Sequence, residues 1–167
     1  MKIIADVGGT RGRWVFVDKS SKKIIETRGF NPYIHEINTL NKILKELNNS
    51  FEFNIINEVK YYGAGINNYY SKKIVIDTLK ESLKDAHIEV FSDLLGSCQS
   101  LCNNKTGIVS ILGTGSNSCL YDGKKIINQI NSLGHLIGDE GSAYSLGKRF
   151  IKMHLRGEIS TEISKSF

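Results

Sequence analysis

The sequence has few cysteines, a single proline and no long apolar run. Three cysteines, Cys98, Cys102 and Cys119, are an odd number, so a framework of disulfides is not expected. The apolar start of the chain breaks at Asp6, which is too early for a signal peptide. No apolar run approaches the roughly 20 residues that span a bilayer. These absences predict a cytoplasmic protein that does not bind membranes.

The excess of positive charge is small and scattered. The 167 residues include 22 Lys and Arg against 17 Asp and Glu, which gives a formal net charge of +5. A nucleic-acid-binding protein would more often show a concentrated basic stripe with interleaved aromatic residues, so no nucleic-acid partner is expected. The hydrophobic content of 40% is enough for one good core or two small ones. A basic surface would still attract anionic substrates weakly.

The order of predicted elements starts with three antiparallel strands and continues with alternating helices and strands. That order favours an α/β fold with a mixed sheet whose faces are covered. Apolar spacing predicts that Ile37 and Leu44 lie on the buried stripe of the first helix, and Ile74 on that of the second. The predicted strands are 3–5, 13–18, 23–28, 59–64, 88–91, 107–112, 117–121 and 125–130, and the predicted helices are about 34–48, 71–84, 93–103 and 140–156, followed by a polar tail.

The most informative segment is Asp6-Val7-Gly8-Gly9-Thr10-Arg11, between the first two strands. Two glycines at a hairpin tip let the backbone approach a phosphate group, because neither carries a Cβ. Thr10 adds a hydroxyl and amides for phosphate oxygens, and Asp6 is a suitable ligand for Mg²⁺, directly or through water. Asp-x-Gly-Gly is also common in ordinary hairpins, so this segment alone leaves both interpretations open.

A second Gly-rich turn, Gly113-Thr114-Gly115-Ser116, follows another apolar strand about 105 residues after the first. Two such tips facing each other could bind a polyphosphate from both sides. The repeat therefore favours the handling of a nucleoside triphosphate over ordinary turn chemistry.

These segments resemble the N-acetylglucosamine kinase-like branch of the actin, hexokinase and Hsp70-type ATPases, the BadF/BadG/BcrA/BcrD ATPase family. Residues 6–11 match its first phosphate motif, 112–117 its second, and 134–144 the segment after that hairpin. The resemblance covers about residues 3–152. It implies a ribonuclease H-like (actin-like ATPase) first lobe, 1–104, and the incomplete start of a similar second lobe, 105–167.

The resemblance also implies roles for single residues. Asp93 would be the base that takes a proton from the sugar hydroxyl; the alternative is that it only caps its helix, although Ser92 could do that. Asn31 would bind the substrate, or equally serve a turn. Asp139 would bind sugar hydroxyls. The backbone of Ser132, Leu133 and Gly134 would line the pocket, Gly8, Gly9, Thr10, Gly113, Thr114, Gly115 and Ser116 would bind ATP, and Asp6 would organise Mg²⁺.

The activity implied is ATP-dependent phosphorylation of an amino sugar such as N-acetylglucosamine. Two alternatives stay open: an activator-type ATPase, and a non-catalytic sugar- or nucleotide-binding module or truncated remnant. Cys98 and Cys102 stand four apart in a predicted helix and could touch a metal, but buried packing is favoured. Family members are longer, so we expect a truncated chain that either forms a homodimer or lacks a second-lobe segment.

Overall fold

A computed structural model describes residues 1–166, apart from the side chain of residue 54. It divides into two compact units, 1–100 and a second that begins at Leu101. The strands are β1 (Lys2–Val7), β2 (Arg11–Val17), β3 (Lys22–Arg28), β4 (Glu58–Gly63), β5 (His87–Ser92), β6 (Thr106–Leu112), β7 (Ser116–Asp122) and β8 (Ile126–Gln129). The α-helices are α1 (Ile37–Ser50), α2 (Tyr69–Ser82), α3 (Asp93–Cys102), α4 (Gly134–Ile137), α5 (Ala143–Leu155) and α6 (Thr161–Ser166).

The first unit contains a five-stranded mixed sheet in the order β3-β2-β1-β4-β5. β1, β2 and β3 pair antiparallel, whereas β1, β4 and β5 are parallel. The carboxyl ends of the three parallel strands therefore meet at one edge. In register at that edge are Val7 of β1, Gly63 of β4 and Ser92 of β5.

One face of this sheet forms the core of the first unit. Alternate residues of β1 are buried, as period-2 alternation requires of a half-buried strand. The helix α1 covers that face with an apolar stripe at helical spacing. The buried cluster includes Ile3, Ala5, Val7, Trp14, Phe16, Val59, Tyr61 and Val90 from the strands and Leu40, Ile43, Leu44, Leu47, Val75 and Leu79 from α1 and α2.

The second unit contains a three-stranded antiparallel sheet in the order β6-β7-β8. A tight turn joins β7 to β8, in which Gly123 has a φ of +97°. The backbone amides of Lys125 and Lys124 donate to Asp122 and hold the pKa of its carboxyl below the usual range. The turn sequence, Asp122-Gly123-Lys124, is typical of a tight hairpin.

The mixed α/β class and the opening antiparallel strands are confirmed, and the predicted bounds agree within three residues. The predicted helix 140–156 forms α5, which begins at Ala143, and the predicted polar tail contains the short helix α6. The two units do not by themselves test the predicted lobes 1–104 and 105–167, which stay predictions. Within residues 1–166, no helix combines the length and apolar character needed to cross a membrane.

Candidate active site

The tip of the first hairpin is fixed by hydrogen bonds to the segment that follows β3. Gly8 N–H donates to the carbonyl of Arg11 at 2.9 Å and closes the turn. Gly29 N–H donates to the carbonyl of Thr10 at 2.8 Å, and Phe30 N–H to that of Gly8 at 3.0 Å. The backbone of the predicted phosphate loop is thus held in place before any ligand binds.

Gly29 is required by close packing next to this tip, whereas Gly9 at the tip is not. A Cβ on Gly29 would lie 2.6 Å from backbone atoms of Gly9 and Thr10, so close packing requires the glycine. A Cβ on Gly9 would meet no atom within 4 Å, and Gly9 does not have a positive φ. Neither the backbone shape nor the packing of the first unit therefore demands glycine at residue 9, and its surface is open to a ligand.

A depression of about 330 Å³ lies beside the tip. The ring of His35 accepts a hydrogen bond at Nδ1 from Asn31 N–H at 3.0 Å, so its neutral form carries the proton on Nε2. Sequence reasoning missed Arg28 and His35 here, because only the β2–β3 register and the following turn bring them to the tip. The depression is lined by Gly9, Thr10, Arg28, Gly29, His35 and Thr39.

Asn31, the predicted substrate-binding residue, forms a turn in this structure. Its side-chain oxygen accepts from Tyr33 N–H at 3.0 Å, and its carbonyl accepts from Ile34 and His35 N–H at 3.0 and 2.9 Å. This is Asx-turn chemistry, one of the two roles that the sequence left open. The substrate-binding role stays a prediction.

Asp93 begins α3 directly after β5, at the carboxyl edge of the sheet. Burial raises the pKa of its carboxyl, the amide of Leu94 lowers it, and the charge of Asp6 at the end of β1 raises it. Leu94 N–H donates to the Asp93 carboxylate at 2.8 Å, while Ser92 Oγ accepts from Leu95 N–H at 3.2 Å. Ser92 therefore provides the cap at this helix start. Asp93 and Asp6 come close enough at one edge for their charges to interact.

In the second unit, the Gly-rich turn 113–116 contacts Asp139. The amide of Ser116 donates to Asp139 Oδ1 at 3.3 Å, and a Cβ on Gly115 would lie 2.9 Å from Oδ2. Ser116 Oγ donates to the carbonyl of Glu140 at 2.8 Å, and Ala143 N–H to that of Gly113 at 2.9 Å. Asp139 has a φ of +58°, which is uncommon outside glycine. Its carboxylate thus supports the turn predicted to bind phosphate, and its sugar contacts stay a prediction.

Ser132, Leu133 and Gly134, the predicted pocket-lining residues, lie just before and at the start of α4. Ser132 and Leu133 are exposed, and Gly134 has a φ of +71°. His135 packs edge-on against Tyr144 with ring centroids 5.0 Å apart. This segment thus brings backbone groups to the surface of the second unit.

The predicted site residues therefore form two local groups. Asp6, the 8–10 tip, Asn31 and Asp93 belong to the first unit, and 113–116 with Asp139 to the second. Across residues 1–166, no three His, Cys, Asp or Glu side chains are grouped to hold a metal ion. The cysteines form no disulfide, and Cys98 is buried. The functional roles of these residues stay predictions.

No family model matches the chain, and no curated protein matches it either. Among solved structures, the chain is similar to a candidate N-acetylglucosamine kinase from Porphyromonas gingivalis, with 33% identity over 99% of this chain and a TM-score of 0.89. A candidate N-acetylglucosamine kinase from Chromobacterium violaceum shares 19% identity, with a TM-score of 0.75 over 99% of this chain. The ethanolamine utilization protein EutJ from Carboxydothermus hydrogenoformans shares 12% identity, with a TM-score of 0.52 over 99% of this chain.

These similarities identify the fold class first. The chain has the α/β, ribonuclease H-like fold of the actin-like ATPases, as the resemblance implied. The more particular likeness is to candidate N-acetylglucosamine kinases. The chain spans 60% and 61% of the length of these two kinases, and 60% of EutJ. Membership of the BadF/BadG/BcrA/BcrD family stays a prediction.

Proposed function

We propose that the chain takes part in ATP-dependent phosphorylation of an amino sugar, N-acetylglucosamine or a close relative. One observation carries the proposal: 33% identity over 99% of this chain to a candidate N-acetylglucosamine kinase. The half-buried Asp93 at the carboxyl edge of the parallel strands supports it. In open α/β sheets, ligands bind outside the carboxyl ends of the strands.

Asp93 is the proposed general base. It accepts the proton of the sugar hydroxyl while that oxygen attacks the γ-phosphorus of ATP. Its raised pKa makes it a better proton acceptor than an ordinary surface aspartate, because burial disfavours its charged form. Since only the ionised carboxylate can accept the proton, turnover falls as pH drops through that raised pKa.

The two Gly-rich tips are the proposed phosphate-binding elements. The surface of Gly9 is open, and the amides around Thr10 lie on a fixed hairpin, which suits close approach by phosphate oxygens. Thr114 and the turn around it take the same role in the second unit. Asp6, exposed at the end of β1, would hold Mg²⁺, which when bound neutralises charge on the phosphates.

Sugar binding is assigned to Asn31 in the first unit. In the second unit, Asp139 would hydrogen-bond sugar hydroxyls and the backbone of 132–134 would line a pocket. The contact with Asn31 would help to orient the hydroxyl for Asp93, and orientation contributes much of the rate in phosphoryl transfer. A homodimer, or a segment that completes the second lobe, would be the partner of this site, and the cytoplasm its location.

A panel of amino sugars tests the proposal with two measurements on this chain. Coupled ADP release reports catalysis, and the rise in melting temperature with added sugar reports binding. We expect N-acetylglucosamine, glucosamine or N-acetylmuramic acid to produce both. Asp93→Asn should lower release by about 10²–10⁴-fold and keep the fold, while Asp85→Asn, on the exposed turn before β5, is the matched control. Binding without release would favour the non-catalytic module, and sugar-independent release the activator-type ATPase.

A further inference from the structure

Tyr61 is a buried polar residue at the centre of the first unit that the proposed mechanism does not use. It lies on β4 opposite Ala5 of β1 and is 0% exposed. Its ring packs edge-on against Trp14, with centroids 5.9 Å apart. Tyr61 is therefore held on the core face of the sheet.

The Tyr61 ring runs along the strand toward the carboxyl edge. A Cβ on Gly63 would meet Tyr61 Cε1 and would lie 3.1 Å from Cζ and 3.2 Å from the hydroxyl oxygen. Gly63 pairs with Val7 and Ser92, which directly precede the phosphate tip and Asp93. Because Gly63 has no side chain, the Tyr61 hydroxyl can lie near the edge of the sheet that carries the candidate site.

The hydroxyl of Tyr61 is buried and has no hydrogen-bond partner among the described residues. The neighbouring Trp14 differs, because its Nε1–H donates to Thr27 Oγ1 at 3.0 Å. An unpaired buried polar group is destabilising, and phenylalanine would fill nearly the same space without it. We therefore expect the Tyr61 hydroxyl to have a role other than stabilising the core.

The nearby acid is Asp93. Burial and the charge of Asp93 both raise the pKa of Tyr61, so the phenol keeps its proton and can donate a hydrogen bond. Asp93 accepts one hydrogen bond from Leu94 N–H, and a carboxylate can accept several more. Asp6 is the ionisable side chain whose charge acts on Asp93, and a carboxylate has no hydrogen to donate to it.

We propose that Tyr61 is a positioning residue for Asp93, and that its hydroxyl donates a hydrogen bond to the Asp93 carboxylate when a sugar is bound. The bond would hold the carboxylate in the orientation that receives the sugar proton. This inference rests on the proposed function, because it takes Asp93 as the base. Tyr61 itself neither touches the sugar nor changes its bonding during the transfer.

Melting temperature and kinetics of Tyr61→Phe give the first test. Removing the unpaired hydroxyl should raise the melting temperature by about 2–4 °C, while the fully folded variant loses about tenfold in kcat with an unchanged KM for ATP. Tyr70→Phe, at a tyrosine that is 76% exposed, should change neither. In an Asp93→Asn background, Tyr61→Phe should cause no further loss. An unchanged kcat in Tyr61→Phe overturns the inference.

A spectroscopic measurement separates this inference from the proposed function. In protein labelled with ¹³C at tyrosine Cζ, N-acetylglucosamine should shift the Tyr61 resonance in the wild type and leave it unmoved in Asp93→Ala, whose side chain has no acceptor. Sugar that raises the melting temperature without moving this resonance overturns the role of Tyr61 alone. Sugar that causes neither a rise in melting temperature nor ADP release overturns the proposed function, and the role of Tyr61 with it.

Discussion

The two units of the chain bury their apolar side chains to very different degrees. In the first unit, one cluster joins the sheet to α1 and α2, and Trp14, Leu40 and Leu44 are at most 1% exposed. In the second, the buried hydrophobic residues among those described are Val109, Cys119 and Tyr121. Apolar residues of its strands remain exposed, such as Ile108 at 80% and Leu112 at 72%.

This difference shows that the two groups of candidate residues are held in place by different forces. Asp93 and the first tip are attached to strands of a packed core, whose rigidity comes from burial. The second Gly-rich turn depends on local polar contacts, among them Ser116 N–H to Asp139 and Ala143 N–H to Gly113. Substitutions should therefore act on the first group through packing and on the second through single hydrogen bonds.

The largest expected difference between the units is in catalysis. Asp93→Asn removes the proposed base and should lower sugar-dependent ADP release by about 10²–10⁴-fold. Asp139→Asn should lower it by only about tenfold, because the amide can still accept from Ser116 N–H. Steady-state kinetics of both purified variants measure the ratio. Equal losses would contradict the assignment of the base to the first unit.

Stability gives the next difference. Leu44→Ala leaves a cavity in the first core and should lower the free energy of unfolding by about 2–5 kcal/mol. Leu112→Ala removes a side chain that is 72% exposed and should stay within about 0.5 kcal/mol. Urea unfolding of the two variants compares them directly. A large loss for Leu112→Ala would mean that the second unit has a core that its exposure does not indicate.

Sequence reasoning succeeded for the first unit because its patterns are periodic. Alternating apolar residues and a Gly-Gly turn are enough to place β1 and β2, and the structure confirms both. For the two helices the predicted stripes are confirmed in part, since Leu44 of α1 is buried. Ile37 and Ile74 fit an apolar stripe but are 49% and 37% exposed, and Val75 and Thr78 are buried on α2 instead. The spacing of apolar residues predicts which side of a helix is buried to within about one residue, and tertiary packing decides which residues lie in the middle of that side.

Other features depend on contacts that no local pattern contains. The start of α1 at Ile37 follows from the turn built by Asn31 and His35. Gly29 matters because it meets the tip of another hairpin, and Tyr61 because Gly63 makes room for its hydroxyl. In the second unit, α5 begins at Ala143 because Ser142 caps it. Each of these depends on through-space contacts or on cap geometry rather than on residue type alone.

Glycine substitutions compare the two Gly-rich tips more finely. Gly29→Ala should lower the free energy of unfolding by about 1–3 kcal/mol, because its Cβ overlaps the first tip. Gly113→Ala meets no atom within 4 Å and should be neutral for stability, while it weakens nucleotide binding if the turn contacts phosphate. Thermal melts with and without ADP and Mg²⁺ measure both effects. A Gly29→Ala protein of unchanged stability would contradict the close packing of Gly29 against the first tip.

The smallest expected difference concerns two helix caps. Asn68 caps α2 in a capping box with Ser71, and Ser142 caps α5 by accepting from Ser145 N–H at 3.1 Å. Replacing either by alanine should lower local stability by about 1 kcal/mol. In the first unit the core also holds α2, so hydrogen exchange should quicken only at its first turn.

Buried residues are absent from the described part of α5, so Ser142→Ala should quicken exchange along the whole helix. Hydrogen exchange followed by mass spectrometry compares α2 and α5 in the two variants. Ser20→Ala, at an exposed serine between β2 and β3, is the control and should leave both helices unchanged. If Ser142→Ala quickened exchange only in the first turn of α5, packing rather than the Ser142 cap would stabilise this helix.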